Sequence, residues 1–390
     1  MSILRADSIR NKDGDGAPDF PNGITVAGIV TATLLDQNVT GVVSATSFVG
    51  DGSALTGTGV SITGGVEATY TENAINYESR SFYSPGSFTI TSPMTVEFCI
   101  IAGGGGGANF YSTNANGGGG AGGVVIGRGV VFPAGSYDIR VGDGGEGACP
   151  APQGTAGRRG HDSSIKAPHH APVNYVATGG GGGHSPQQYP TSYVYTQGKG
   201  GSGGGRSDVN NPGYTTIQNT YDAPTAPMPI GTYNDTPFRN SGTVNGYGNN
   251  GGSGTTSSWG GGGGGGAAGN GTNGPGGNGG PGMTFPWSNG PSGIEYIAGG
   301  GGGSGNSTEP AGDGHSGGGR GQGTTVNSGN DSTYGEGQLP AAPYGMLDVH
   351  ALDGSGGGGG GGSYWHSTSV AQGAYGGRGG SGRVVIRFEV

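Results

Sequence analysis

Stretches in which apolar and polar residues alternate predict β-strands on both sides of a glycine-rich middle region. The clearest is 383–390, where Val384, Ile386 and Phe388 share one side of the alternation, as in a half-buried strand. The same pattern predicts strands over 82–91, 94–103, 124–131 and 136–142. Because strands flank the glycine-rich region at both ends, we expect a small antiparallel sheet or sandwich whose first and last strands are neighbours. The predicted fold class is all-β, with no significant α-helix.

An internal repeat precedes these strands. Residues 26–33 return in altered form as 39–46, a period of 13 residues, and both copies are rich in β-branched residues without a helical period. Two units of this length cannot bury a core within one chain, whereas identical chains wound around a common axis could stack their Val and Ile residues inward. We therefore predict a slender, intertwined β-repeat shaft over 25–57. A separate segment at 1–24 precedes it, and a polar connector at 58–76 follows.

Glycine provides 100 of the 390 residues and is concentrated in runs. Such runs can be flexible linkers, since glycine is the residue whose ordering costs the most entropy. Alternatively, they can form three-per-turn extended helices that pack side by side, because no side chain separates them and each N–H and C=O can pair with a neighbouring run. The main runs are 103–107, 117–120, 179–183, 203–205, 260–266, 299–303, 317–319 and 356–362.

The composition gives opposing evidence on whether the glycine runs are flexible or ordered. Glycine and proline, at 100 and 23 residues, make up about a third of the chain, a share typical of disorder. The charged fraction is only 11%, however, and 18 Tyr, 10 Phe and 3 Trp are more aromatic residues than disordered chains usually carry. We therefore predict an ordered glycine-rich domain over 77–390. Its strands lie at 82–142 and 383–390, and its glycine runs and variable loops at 103–382 pack as a lattice within the chain.

Polar and aromatic inserts separate the glycine runs. Aromatic and amide side chains on loops that a rigid scaffold anchors are typical of recognition surfaces. Aromatic faces can stack on sugars or fill pockets, while neighbouring Asn and Gln side chains supply directional hydrogen bonds. For any single aromatic residue, an equally good interpretation is that it caps the end of the glycine lattice. The candidate recognition residues are Phe110, Tyr111, Tyr189, Tyr193, Tyr195, Phe285, Trp287, Tyr364, Trp365 and His366.

Charge and hydropathy argue against several function classes. The net charge of −9, with only three lysines, provides no basic patch, so nucleic acid is not an expected partner. No apolar run has the length of a membrane helix or a signal peptide, so we expect synthesis in a cytoplasm. Acidic residues of the glycine-rich part are scattered singly, and the adjacent His169 and His170 have no third ligand at metal-site spacing. We predict no enzyme activity, no cofactor and no metal site there.

Two smaller features leave alternatives open. Cys99 and Cys149 could form a disulfide, but the apolar strand around Cys99 favours a buried free thiol. Near the N-terminus, carboxylate and amide residues have the spacing of a calcium loop without its closing Glu, and a turn rich in Asp and Gly explains the same residues. They are Asn11, Asp13, Asp15 and Asp19.

Several segments resemble known phage proteins. Residues 2–10, 18–26 and 42–57 resemble the N-terminal parts of tail-fibre and other virion-fibre proteins of marine cyanophages. Residues 86–147 and 376–388 resemble the glycine-rich domain of phage fibres. The architecture is also similar to the glycine-rich tip adhesins of some T-even phages, which pack polyglycine II helices in a lattice and expose variable loops. Unlike those adhesins, this chain carries its own shaft-like N-terminus, which favours a complete short fibre.

The resemblance implies a polyglycine II lattice, a homotrimer, and attachment to other virion proteins through residues 1–24. The expected function is a virion fibre that acts as a receptor-binding adhesin, with a host surface polysaccharide or outer-membrane protein as partner. The alternative is a structural decoration of the head, collar or baseplate without direct receptor binding. Either way, the expected location is the virion, after synthesis in the host cytoplasm.

Overall fold

The chain divides into two units, Met1–Thr58 and Gly59–Val390, and all the residues that the structure describes lie in the second. The predicted segments 1–24 and 25–57 therefore fall outside the described residues. The structure is a computed structural model. It describes residues 62–109, 116–148, 156–167, 174–185, 198–207, 220–221, 231–234, 243–254, 261–274, 276–285, 287, 295–305, 311–321, 350–362 and 375–390.

The described residues form antiparallel β-sheets joined to packed glycine runs, and none of their ranges contains an α-helix. The all-β prediction is therefore confirmed. The strands are β1 Ile62–Thr63, β2 Val66–Glu72, β3 Ile75–Phe82, β4 Gly86–Ile90, β5 Met94–Ile101, β6 Val124–Phe132, β7 Gly135–Arg140, β8 Ser163–Lys166, β9 Asn174–Ala177, β10 Thr220–Tyr221, β11 Gly231–Asn234, β12 Thr243–Tyr247, β13 Met283–Phe285, β14 Glu295–Ile297 and β15 Arg383–Glu389.

Two sheets face each other, and a hairpin adds a third. Their strand orders are β1-β4-β7-β8-β9-β10, β11-β12-β6-β5-β15-β3-β2 and β13-β14. The last strand, β15, lies between β5 and β3, so the first and last parts of this unit are neighbours, as predicted. Aromatic rings fill the space between the two large sheets, and the ring centroids of Phe98 and Tyr175 are 4.5 Å apart.

The prediction that β15 is half-buried is wrong. Only Glu389 of its seven residues is exposed, because both faces of the strand are covered. Val384 and Ile386 point into the core between the sheets, whereas Val385 belongs to a second core that includes Trp287. A sequence pattern shows alternation, but it does not show that another segment will cover the second face.

The segment 58–76, predicted to be a polar connector, contains β1, β2 and the start of β3. In β2, Ala68 and Tyr70 are half-buried, while Thr69 and Thr71 are exposed, so the strand packs one face as an edge strand. Thr and Tyr favour this half-buried, pleated environment. The segment was predicted to be a connector because it is polar, and that prediction did not take account of the preference of Thr and Tyr for half-buried strands.

The glycine runs are joined by backbone hydrogen bonds that repeat every three residues. Successive N–H groups of 103–108 donate to three different neighbouring segments in turn, over 2.8–3.0 Å, and every third donor returns to the same neighbour. A period of three is that of a three-per-turn extended helix. The runs therefore pack within the chain, and their identity as polyglycine II helices stays a prediction. The three acceptor segments are 156–162, 375–382 and 116–123.

Side chains in the outer runs follow the same period. In 375–382, Tyr375 and Arg378 are exposed and Ser381 is half-exposed, while the intervening glycines are buried. At a buried position a side chain would not fit, since a Cβ added to Gly119 would lie 2.1 Å from the carbonyl oxygen of Gly105. Outer runs such as 375–382 consequently carry one side chain in every three residues, and the segment 156–162 keeps glycine at every third position only.

Candidate functional site

The glycine runs extend from the sheets to an opposite end, which we call the loop end. The run 103–108 follows β5, and the run 117–123 leads into β6. At the sheet end Ala102 N–H donates to Gly123 O over 3.0 Å, and at the other end Ala108 N–H donates to Gly117 O over 3.0 Å. The two runs are thus the arms of a long hairpin, and the chain between them begins away from the sheets.

Hydrogen bonds join the tips of the other runs to this hairpin. Gly362 N–H donates to Ala108 O over 2.8 Å, and Gly117 N–H donates to His184 O over 2.9 Å. Similar bonds involve Ala148 and Ser304, so the tips form one layer. The segments that begin at this layer are 110–115, 149–155, 186–197, 208–219, 255–260, 306–310, 322–349 and 363–374.

A buried amide fixes three of these tips. Asn116 is fully buried, its Nδ2 donates to Gly362 O over 2.7 Å, and its backbone N–H donates to Ser304 Oγ over 2.8 Å. Because each contact reaches a different run, Asn116 sets the relative positions at which the chain leaves the lattice. A loop anchored in this way starts from a fixed point.

A buried His–Ser pair connects two further tips. His184 Nδ1 lies 2.8 Å from Ser207 Oγ, and both residues are buried. The segment 186–197 begins directly after Ser185, the residue that follows His184. The segment 208–219 begins directly after Ser207. Buried polar groups are favourable only when they are hydrogen-bonded, so this pair holds two exits together.

The sheet end contains a different polar cluster, centred on Arg387. Its Nε donates to Glu97 Oε2 over 2.6 Å and its Nη1 donates to Glu72 Oε2 over 2.5 Å. The guanidinium also lies 4.4 Å from the ring centroid of Trp287. Burial lowers the pKa of Arg387, but hydrogen bonds with Tyr70 and the two carboxylates outweigh it, so the net pKa is raised. The cluster ties β15 to β2 and β5.

The described residues of the two ends form no metal centre. Within the described ranges, no three His, Cys, Asp or Glu side chains are grouped so that they could hold a metal ion. The same ranges contain no helix that is long and apolar enough to span a membrane.

Comparison with known proteins places the chain in a family. A family model described as a glycine-rich domain matches residues 83–389. The chain belongs to the glycine-rich domain family. No curated protein matches the chain. The match covers the strands from β4 onward and every glycine run, so the loop end lies within the family's domain.

Eight of the ten candidate recognition residues fall outside the residues described for this glycine-rich domain. The segments that contain them nevertheless begin at the loop end, next to Asn109, Ser185 and Gly362. The structure thus brings together the starting points of the three segments that hold Phe110, Tyr111, Tyr189, Tyr193, Tyr195, Tyr364, Trp365 and His366.

Phe285 and Trp287 lie at the sheet end. The backbone of Phe285 belongs to β13 and pairs with Glu295. Trp287 is only 3% exposed, packs in the second core, and accepts a hydrogen bond at its carbonyl from Tyr70 Oη over 3.2 Å. This placement agrees with the interpretation in which aromatic residues cover the scaffold, and we leave Trp287 out of the recognition surface proposed below.

The residues that organise the loop end are not among the predicted site residues. All four are buried: Asn116, His184 and Ser304 each adjoin a glycine run, and Ser207 lies two residues after one. A polar residue directly at the end of a glycine run was the available signal for the first three. The possible calcium ligands Asn11, Asp13, Asp15 and Asp19, and also Cys149, lie outside the described residues.

Proposed function

We propose that this glycine-rich protein is a bacteriophage virion fibre, a tail fibre whose loop end binds the host cell surface. The observation that carries the proposal is the shared layer of run tips at which the aromatic segments begin. A binding protein needs variable side chains on rigid supports, because a preorganised surface loses less entropy on binding. The proposed role is adhesion, without catalysis.

The lattice supports this role through its geometry. Backbone hydrogen bonds repeat every three residues, which favours the polyglycine II helices that the resemblance to phage adhesins implies. In such a lattice the backbone contacts do not depend on the loop sequences. The loops could therefore change with the host while the scaffold stays constant.

The remaining parts of the proposal come from the N-terminal resemblance to cyanophage fibres. We infer a homotrimer held by the repeat at 25–57, attached to tail, baseplate or head proteins through 1–24. The partner at the loop end is a host surface polysaccharide or an outer-membrane protein, which aromatic and amide side chains are suited to bind.

Binding of the purified full-length chain to cyanobacterial host cells tests this proposal. Replacing Tyr364, Trp365 and His366 together by Ala should reduce cell binding at least tenfold. Tyr83→Ala is the control, because Tyr83 is a half-exposed aromatic residue at the sheet end. Equal binding by both variants would contradict the proposal.

The position of the chain on the virion provides a second test. Cryo-electron microscopy of the phage should show the loop ends at the distal tips of three-fold fibres. If the glycine-rich part instead lies flat on the capsid or inside the tail, the chain is a structural decoration and the adhesin proposal is wrong.

A further inference from the structure

One stretch of the glycine-rich unit carries no charged side chain. Residues 240–294 contain no Asp, Glu, Lys, Arg or His in a chain whose charged fraction is 11%. The described part of this stretch supplies β12, β13 and the runs 248–254, 261–267, 271–274 and 276–282. We call the surface formed by Tyr247, Asn250, Ala268, Asn270, Asn273 and Met283 the neutral face.

The outer runs on another side look different. There Glu146 pairs with Arg158 at 3.4 Å and Asp353 pairs with Arg378 at 2.6 Å, all through exposed side chains. The lattice therefore accepts charge at its outward positions, and packing does not require the neutral face to lack it. A surface without charge offers little to an ionic ligand and avoids the cost of desolvating ions when a neutral ligand binds.

Two asparagines on the neutral face have fixed orientations. Asn270 Oδ1 accepts a hydrogen bond from Asn250 N–H over 2.9 Å, and Asn273 Oδ1 accepts one from Ser253 N–H over 2.7 Å. A backbone N–H can bond only the amide oxygen, so each Nδ2 group is left as an outward donor. Neither Nδ2 donates to any group among the described residues. Both side chains are exposed and three residues apart, which is about 9 Å along a three-per-turn chain.

A groove begins beside this pair of donors. Its volume is about 340 Å³, at the small end of the range for ligand sites. Tyr247 and Met283 are half-buried there and Ala268 is exposed, so the groove offers apolar surface. Asn249, which lines it, precedes Asn250 in the chain. The lining residues are Tyr247, Gly248, Asn249, Ala267, Ala268 and Met283.

We propose that the neutral face binds an uncharged polysaccharide, with a sugar ring in the groove and sugar hydroxyls on the two amides. A sugar has an apolar face for Tyr247 and Met283, and hydroxyl oxygens that accept hydrogen bonds from Asn270 and Asn273. The groove of this site is lined by residues of β12 and β13 and lies towards the sheets, away from the loop end, whereas Asn273 lies nearer to that end through its bond with Ser253. It deepens the proposed adhesion and rests on it for the expectation that the ligand is a host glycan.

Electrophoresis of the full-length chain through gels that contain dextran, laminarin or galactomannan tests the site. At least one of these neutral polymers should retard the chain, whereas the anionic polymer alginate should not. The double variant Asn270→Asp and Asn273→Asp keeps the oxygen acceptors for the backbone but replaces the outward donors with carboxylate oxygens. It should weaken retardation at least tenfold.

Asn76→Asp is the matched control, because Asn76 Oδ1 also accepts a hydrogen bond, from Thr71 over 2.8 Å, but lies elsewhere on the molecule. The control should bind normally. The loop-end variant at 364–366 should also keep polysaccharide binding, which separates this site from the proposed receptor surface. If no neutral polymer retards the chain, the inference is wrong. Loss of oligomers in the double variant by light scattering would also overturn it, because the face would then be a contact between copies.

Discussion

Arg387 shows how one side chain connects three parts of the fold. It is buried, whereas its partners Glu72 and Glu97 are each about a quarter exposed, at 24% and 23%. Removing the cation would leave two carboxylates without their shared partner in a partly buried site. Such losses cost several kcal/mol when the remaining charge is buried.

We therefore expect Arg387→Leu to lower the free energy of unfolding by about 3 kcal/mol. Arg378→Leu is the control, since its pair with Asp353 is exposed and should contribute less than about 1 kcal/mol. Urea denaturation followed by tryptophan fluorescence measures both variants. Similar losses in the two variants would show that the Arg387 cluster is not a buried clamp.

Cys99 is a buried free thiol in the second core, as its sequence context favoured. Burial raises its pKa from 9.0 to about 12. The folded state therefore binds the thiol proton more tightly than the unfolded state. The resulting stabilisation is complete below pH 9 and is lost as the pH rises towards 12.

In a Cys149→Ser variant, which leaves Cys99 as the single thiol, we expect no reaction with a thiol reagent at pH 8 until the chain unfolds. The reaction rate should follow the unfolded fraction in urea. Rapid labelling of the native variant would mean that β5 and β15 are not packed as described.

At the scale of elements, the strands were the easier part to predict. The predicted ranges 94–103 and 124–131 match β5 and β6 closely, because these strands are long and apolar. The segment 58–76 was harder, because its strands are polar and gain their buried face from Arg387 and Trp287, which are distant in sequence. The local sequence pattern indicates the propensity of a segment to form a strand. Whether the second face of that strand is buried depends on residues that are distant in the sequence.

The glycine runs carry information that the sequence analysis did not use. Uninterrupted runs such as 103–107 and 261–266 are fully buried, whereas runs with a side chain at every third position, such as 375–382, lie outside. The period follows from three residues per turn. Applying this period to the sequence would have predicted which glycine runs lie outside and which are buried.

Substitutions in the runs test this interpretation. We expect Gly119→Ala to destabilise the chain by about 3 kcal/mol or more, because its Cβ would overlap Gly105 O and neither backbone can move freely. Gly86→Ala should change stability by less than about 1 kcal/mol, since the nearest atom to the added Cβ, apart from the adjoining residues, would be Phe82 Cδ1 at 3.5 Å. Thermal unfolding measures the difference. A mild effect at Gly119 would contradict a close-packed lattice.

At the scale of the whole molecule, the sequence pointed to loops on a glycine scaffold but could not show that several of the segments between the runs begin at one end. That result depends on the direction of each run, which is fixed by pairs such as Ala108 with Gly117 and His184 with Gly205. The sequence alone shows that the stretch forming the neutral face has no charged residues. The groove could not be predicted from the sequence, because Tyr247 and Met283 come together only in the folded chain.

The different roles proposed for the shaft and for the glycine-rich unit lead to a last prediction. Every hydrogen bond of the glycine runs described above has both partners in the second unit, so this unit should fold without residues 1–57. Trimer formation is assigned to the repeat at 25–57, which is too short to bury a core alone. A chain that begins at residue 58 should therefore unfold at nearly the same temperature as the full chain but have the mass of a monomer in light scattering. A stable trimer of the shortened chain would mean that the contacts between chains lie in the glycine-rich unit. The neutral face would then be the first surface to test.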